Sequence, residues 1–223
     1  MDRLEYAHHN RHRYLDWCHE LELSPYSAVD KMEWAIISAH CKFSVSLAGF
    51  KATRDIEDLQ ALADALYANG VLAPGNKAAY ILDLRDRCLY GETPLPEACY
   101  QTYRREYKFR GLGHCKLSFG SCLIDPLGSN VVCLDTHILQ VYLGYRPTPR
   151  EINRIYTKLD EYEDIESFLL AEAEEVDLPP FAYQWAVWDW KRARYDLLPP
   201  SDHSFLWRNP TQEQLPLFSS LEV

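Results

Sequence analysis

Residues 109–116 read Phe-Arg-Gly-Leu-Gly-His-Cys-Lys, and residues 133–138 read Cys-Leu-Asp-Thr-His-Ile. Two glycines around one apolar residue, Gly111-Leu112-Gly113, predict a tight hairpin between two helical stretches, because glycine tolerates positive φ and lets a second backbone come close. The helix after it would begin with N–H groups pointing outward, a ready seat for phosphate. Taken alone, Gly-x-Gly is more often an ordinary helix–helix turn, so its surroundings decide. Asp135 follows Lys116 by 19 residues. Between them run an apolar helix (Leu117, Phe119, Cys122, Leu123, Ile124) and a set of helix stoppers, Asp125-Pro126-Leu127-Gly128-Ser129.

Upstream, Gln101 to Phe119 holds five basic residues, Arg104, Arg105, Lys108, Arg110 and Lys116, against one acid, Glu106. Tyr100, Tyr103, Tyr107 and Phe109 are interleaved with them. The chain as a whole carries a formal charge of −10. Such a balance opposes general adhesion to nucleic acid, where phosphate contacts dominate affinity. A positive charge gathered locally is the form in which an acidic protein can still hold DNA.

The rest of the chain is dominated by helical periodicity. Met32, Ala35, Ile36, Ala39, Phe43 and Leu47 recur at three- and four-residue steps along one apolar face. Leu59, Leu62, Ala63 and Leu66 repeat the pattern, and Gly70 is placed to stop it. Ala78, Ile81, Leu82 and Leu89 mark the next helix. Thr148-Pro149-Arg150-Glu151 is a capping box with proline at the first helical position, opening a helix through Ile152, Ile155, Tyr156 and Leu159. Phe181, Trp185 and Trp188 share a face of a last long helix, where core packing is favoured over base stacking. Lys191, Arg192 and Arg194 end it, suiting the helix dipole or a phosphate.

No stretch alternates with period two, so the expected class is all-α, with nine or ten helices. A single compact domain over 1–223 is expected. One lobe covers approximately 31–147 with the hairpin at 109–117; a second combines 1–30 with 148–198; 199–223 is a tail. Seven cysteines without a C-x-x-C pair predict reduced, mostly buried thiols rather than a zinc or iron–sulfur site. The i, i+4 spacing around His8, His9 and His12 lacks accompanying carboxylates and is not read as a metal site. No metal, no bound cofactor and no membrane span are expected, and a charged start without an apolar core points to a cytoplasmic location.

Gly111-Leu112-Gly113 through Asp135-Thr136-His137-Ile138 resembles the helix-hairpin-helix and Gly/Pro/Asp signature of the DNA glycosylase superfamily. Trp34-Ala35-Ile36-Ile37-Ser38-Ala39-His40 resembles its Leu-Ser-Ala-Gln-Thr helix. A weaker likeness extends from Lys31 to Trp190. The resemblance implies a two-lobed helical fold in which Asp135 stands at the mouth of a cleft. There it acts as base or electrostatic stabiliser; a carboxylate at a helix start stays ionised, and the plain alternative is an N-cap. It implies that Lys116 forms a Schiff base in lyase-competent relatives. Two residues, His114 and Cys115, separate Lys116 from Gly113 where the family has one, so a phosphate contact is an equal alternative. Gly111, Leu112, Gly113 and His114, with Lys108 and Arg110, become the DNA-gripping set. His40 falls on the cleft helix where the family more often has glutamine, and His137 is a pocket or packing histidine.

A divergent, bacteriophage branch of the superfamily is similar in further stretches: Lys-x-Ser-Phe at 116–119, Cys-Leu-Asp-Thr-His-Ile at 133–138, and Gln-Trp-Ala-x-Trp-Asp at 184–189. The resemblance implies thymidine hypermodification, a device against host restriction. A free amino acid or other amine replaces pyrophosphate on 5-pyrophosphoryloxymethyl-uracil in DNA, within the host cytoplasm. Repair glycosylase or lyase is the second reading, and a non-catalytic DNA-binding module the third.

Overall fold

In a computed structural model, the chain is described over residues 1–89 and 100–194. The expected 199–223 tail, Cys99 and the Arg194 side chain lie outside the described residues. Twelve helices account for the described chain: α1 Arg3–His9, α2 Arg11–Glu22, α3 Ala28–Ser38, α4 Phe43–Thr53, α5 Leu59–Ala68, α6 Pro74–Leu89, α7 Tyr100–Glu106, α8 His114–Ile124, α9 Thr136–Leu143, α10 Pro149–Thr157, α11 Leu159–Glu175 and α12 Pro180–Arg194. No strand occurs among the described residues; one isolated antiparallel bridge joins Phe109 to Leu112.

The ends of these helices follow from local chemistry. Thr148 and Glu151 form the expected capping box with Pro149 in the first turn. Asp2 with Glu5, and Ser27 with Asp30, form two more. Gly70, at φ +74°, ends α5: its N–H donates to Tyr67 O, and Val71 N donates to Leu66 O. This paired pattern needs a left-handed residue at position 70.

Two expected helices are broken, which raises the count above nine or ten. The apolar face from Met32 to Leu47 is divided at residues 39–42. Ala39 is extended, at φ −61° and ψ 120°, and His40 adopts φ +57°. The cause is a distant cation. Lys77 on α6 buries its ammonium against the end of α3, donating to Ile37 O at 2.8 Å and Ala39 O at 2.6 Å. The helix expected to run through Leu159 stops at Thr157, whose hydroxyl donates back to Asn153 O at 2.8 Å. Extended Lys158 then begins α11. Such back-bonding loosens a helix end.

Packing falls into two groups. In one, α3 is the hub, touching α4, α6 and α8, with α5 against α4 and α6, and α7 on α8. In the other, α12 is the hub for α1, α2, α9 and α11, and α10 joins α11 to α8. Helix α9, assigned from sequence to the lobe at 31–147, packs on α12. At the α3–α8 crossing, a side chain on Gly120 would overlap the Met32 sulfur, so hydrogen at that position leaves room for the methionine. Around α12, Trp17, Phe181 and Trp185 form an aromatic core, with Trp17 centroids 5.2 Å from each partner.

Candidate active site and nucleic-acid interface

The hairpin is anchored from below and bare above. Phe109 and Leu112 bury their side chains, whereas Lys108, Arg110, Gly111 and Gly113 are exposed. Leu112 N donates to Phe109 O at 3.3 Å, closing the turn. The buried Leu112 side chain anchors the hairpin to the core. Gly111 has φ +80°, and a side chain there would overlap the Tyr80 ring. Both the angle and the contact demand glycine. Gly113 is the N-cap of α8 and supplies no side-chain hydrogen bond, so the first turn of α8, His114 to Lys116, lacks a side-chain cap. His114 is half-buried; burial and the charge of Arg104 push its pKa below the ordinary 6.5, which keeps the ring neutral at pH 7.

The basic and aromatic run does not all face outward. Arg104 is buried and forks onto Glu166, at 2.8 and 2.6 Å, with Ser118 Oγ at 2.8 Å. Burial opposes its charge, but Glu166 outweighs this and raises its pKa. Arg105 pairs with Glu163. Tyr100, Tyr103 and Phe109 are buried, and Tyr107 stacks on Tyr103 at 4.7 Å. Two of the five cations are therefore committed to α11, and most of the aromatic rings to the core. Lys108, Arg110 and Lys116 have no carboxylate partner among the described residues; Lys108 and Arg110 are exposed and Lys116 is half-buried.

Lys116 sits one turn before Gly120, on the α8 face that meets α3. Its Nζ lies 3.0 Å from Ser38 Oγ and 5.2 Å from the Phe119 ring centre. Ser38 ends α3, directly before the turn that Lys77 holds. Burial lowers the pKa of Lys77; the adjacent Cys41 sulfur, 3.3 Å away, counters this, and the charge of Lys116 adds to it. His40 belongs to that same turn and is exposed. It stands beyond α3 rather than on it, contrary to the helical position expected from sequence.

Asp135 is presented by an extended segment with no sheet around it. Buried backbone polar groups need partners, and the N–H groups of residues 132–134 find theirs on side chains. Val132 N donates to Glu166 at 2.8 Å, Cys133 N to Gln184 at 2.8 Å, and Leu134 N to Tyr162 OH at 3.1 Å. The Tyr162 hydroxyl donates in turn to Val132 O at 2.7 Å. Burial pushes the Tyr162 phenol well above its usual pKa, so it keeps the proton it donates.

This scaffold delivers Asp135 half-buried to the start of α9 as its N-cap. Oδ1 accepts from His137 N and Ile138 N, both at 2.8 Å. Oδ2 has no hydrogen-bond partner among the described residues. Lys191 on α12 caps the same corner, donating to His137 O at 3.2 Å and to Gln140 Oε1. Its pKa is lowered by burial, which the charge of Asp135 opposes. His137 is exposed, with its ring edge-on to Trp188 at 5.9 Å.

The Lys116 and Asp135 segments meet through the residues beside them. Cys115 Sγ and Cys133 Sγ are 3.5 Å apart, and half-buried Tyr156 of α10 interacts with both. Sequence reasoning did not find Lys77, Ser38 as the partner of Lys116, Gly120, Tyr156 or this thiol pair. Only the lone glycine inside an apolar helix was a readable signal. Cys18, Cys115, Cys122 and Cys133 are buried free thiols, and Cys41 and Cys88 are half-buried. His8, His9 and His12 are exposed, and no group of three metal-ligating side chains gathers among the described residues. No helix among those residues is long and apolar enough to cross a membrane.

No family model matches the chain, and no curated protein matches it in sequence. Among solved structures, it is similar to the 8-oxoguanine DNA glycosylase of Thermotoga maritima, with a TM-score of 0.67 and 15% sequence identity, over 83% of this chain and 92% of that one. That likeness shows the fold: the all-helical fold of a helix-hairpin-helix DNA glycosylase.

Proposed function

We propose that this protein is an enzyme acting on a nucleobase turned out of DNA, with Asp135 and Lys116 at the reaction centre. The reaction is substitution of an amine for pyrophosphate on 5-pyrophosphoryloxymethyl-uracil. The observation that carries the reading is the divided use of the Asp135 carboxylate. One oxygen is tied to the α9 backbone, which fixes its direction, while the other is without a partner on a half-buried corner. A group so placed accepts a proton without first giving up a bond.

The residues fit the steps. An enzyme working on a base must take it out of the stack. The exposed backbone of Gly111 and Gly113, with Lys108 and Arg110, holds the strand beside the extruded base. The incoming ammonium of an amino acid gives a proton to Asp135, and its nitrogen attacks the carbon attached to C5. The bond from that carbon to oxygen breaks, and pyrophosphate departs with the electron pair. Lys116 and the α8 N–H groups stabilise the negative charge that develops there. Ser38 receives one Lys116 donor, and an ammonium has three, so two remain for phosphate. The glycosidic bond is untouched. The amine is a co-substrate, and no bound cofactor enters the scheme.

The glycosylase fold supports a second reading, base excision. Asp135 would then support positive charge on the sugar, and neutral Lys116 would attack it. A module that only binds DNA is the third reading, and the presence of both Lys116 and Asp135 speaks against it.

Incubating duplex DNA that carries the activated pyrimidine with free amino acids separates them. The transferase yields a heavier nucleoside and inorganic pyrophosphate. Released base, or enzyme trapped on DNA by borohydride, would replace the first reading with the second; neither product would leave the third. Asp135→Asn should abolish product while DNA retention persists, and full turnover by this variant would remove Asp135 from the centre.

A further inference from the structure

Under the site, the Cys115 and Cys133 sulfurs approach to 3.5 Å. Cys115 is the second residue of α8 and neighbours Lys116; Cys133 lies two residues before Asp135. Both are buried. We propose that this pair is a modification site, oxidised reversibly to a disulfide by hydrogen peroxide, and that the bond switches the enzyme off. The effect on turnover rests on the function proposed above, whereas formation of the bond does not.

The two sulfurs are unequal. Hydrogen bonding from Cys133 and the charge of Lys116 lower the Cys115 pKa despite its burial, and the first turn of a helix favours a thiolate. The Cys133 pKa is raised, by the same contact and by burial. Cys115 is therefore the nucleophile. Its thiolate attacks one peroxide oxygen, the O–O bond breaks, and the hydroxide released takes up a proton as water. The sulfenic acid left on Cys115 is then attacked by the Cys133 sulfur. An S–S bond forms, the S–O bond breaks, and hydroxide leaves with the Cys133 proton as a second water. Two thiols are oxidised by two electrons in all, and the peroxide is reduced by two. Other thiols are less suited: Cys122 donates to Val131 O at 3.3 Å, and burial raises both Cys122 and Cys18.

The bond has mechanical consequences. A disulfide is about 2.05 Å long, so the sulfurs must close by about 1.5 Å. The start of α8 and residues 131–134 are drawn together, and Lys116 and Asp135 move with them. A displacement near 1 Å at a reacting group costs about 100-fold in rate.

Purified full-length protein is treated with hydrogen peroxide, and a portion is then reduced with dithiothreitol. Intact mass and peptide mapping read the bond; product formation on modified duplex reads the effect. The expected result is a 115–133 cross-link with loss of two hydrogens, and a turnover drop of about 100-fold that dithiothreitol reverses. Cys133→Ser and Cys115→Ala should each lack the cross-link and keep turnover in peroxide. Absence of the cross-link in wild type, or a cross-linked protein with full turnover, overturns the proposal. If reduced protein makes no product on any substrate, the functional reading fails. The switch then stands or falls on whether the cross-link forms and alters DNA retention reversibly.

Discussion

The hairpin at 109–113 and the segment at 131–135 lie close together but are built on opposite plans. The hairpin is held largely by its own residues: a closing hydrogen bond from Leu112 to Phe109, two buried side chains, and a glycine in the left-handed region that strains residues with side chains. The segment has no such local support. Its backbone is satisfied by Glu166, Tyr162 and Gln184, on helices that begin more than 20 residues later. A locally determined element can be read from a short motif. An element fixed by remote side chains is vulnerable wherever those side chains lie.

The largest test of that contrast is Glu166→Ala. It orphans Val132 N and leaves Arg104 buried without its main partner. Breaking a buried pair costs about 3–5 kcal/mol, so denaturant unfolding should show a loss of that order, and formation of the modified nucleoside should fall with it. The Arg104→Met, Glu166→Leu double variant should recover part of the stability but not the Val132 contact. A loss below about 1 kcal/mol in the single variant would mean that the segment is held by other means.

A smaller and more local loss is expected for Gly111→Ala. Left-handed strain costs about 1–2 kcal/mol for a residue with a side chain, and the Tyr80 ring adds overlap. Adding Tyr80→Ala should relieve the overlap and leave the strain, which a double-mutant cycle measures. Lys108→Ala and Arg110→Ala should leave stability within about 0.5 kcal/mol. Each should lower the salt slope of DNA retention by about 1. Arg105→Ala, being paired with Glu163, should change that slope less.

The smallest effect concerns pH. Hydrogen bonds from Arg105 and Arg104 hold the Glu163 carboxyl below its ordinary pKa of 4.5. The folded protein therefore binds this proton less readily than the unfolded chain. The corresponding stability is full above the ordinary value and is lost as pH falls through the lower, folded-state value. Glu163→Gln should remove this contribution: stability falls slightly at neutral pH, the exposed Arg105 pairing being screened, and is unchanged in strong acid, so the acid limb flattens by the same small amount.

Much of the fold was legible because its signals are short-ranged. The capping box at 148–151, the stop at Gly70 and the apolar spacing of α5 and α6 need only neighbours in sequence. The break between α3 and α4 did not announce itself. Periodicity runs through residues 39–42, and the cation that ends α3 comes from Lys77, nearly forty positions away. The run from Tyr100 to Lys116 misled for the same reason. Its charges suggest an outward face, but Glu163 and Glu166, which neutralise Arg104 and Arg105, belong to another helix. Asp135 and Lys116 were legible as residues; Ser38, Tyr156 and Cys133, which meet them or the thiol beside them, were not, because tertiary packing alone brings these together.

Gly120 carries a last implication. It is buried where α8 crosses α3, its missing side chain leaves room for the Met32 sulfur, and Lys116 lies one turn earlier on the same helix. Enlarging position 120 by a single methyl would press on the Met32 thioether, which must swing aside for α3 and α8 to keep their spacing. The helix that carries Lys116 is thus backed by a contact whose fit depends on one hydrogen and one thioether.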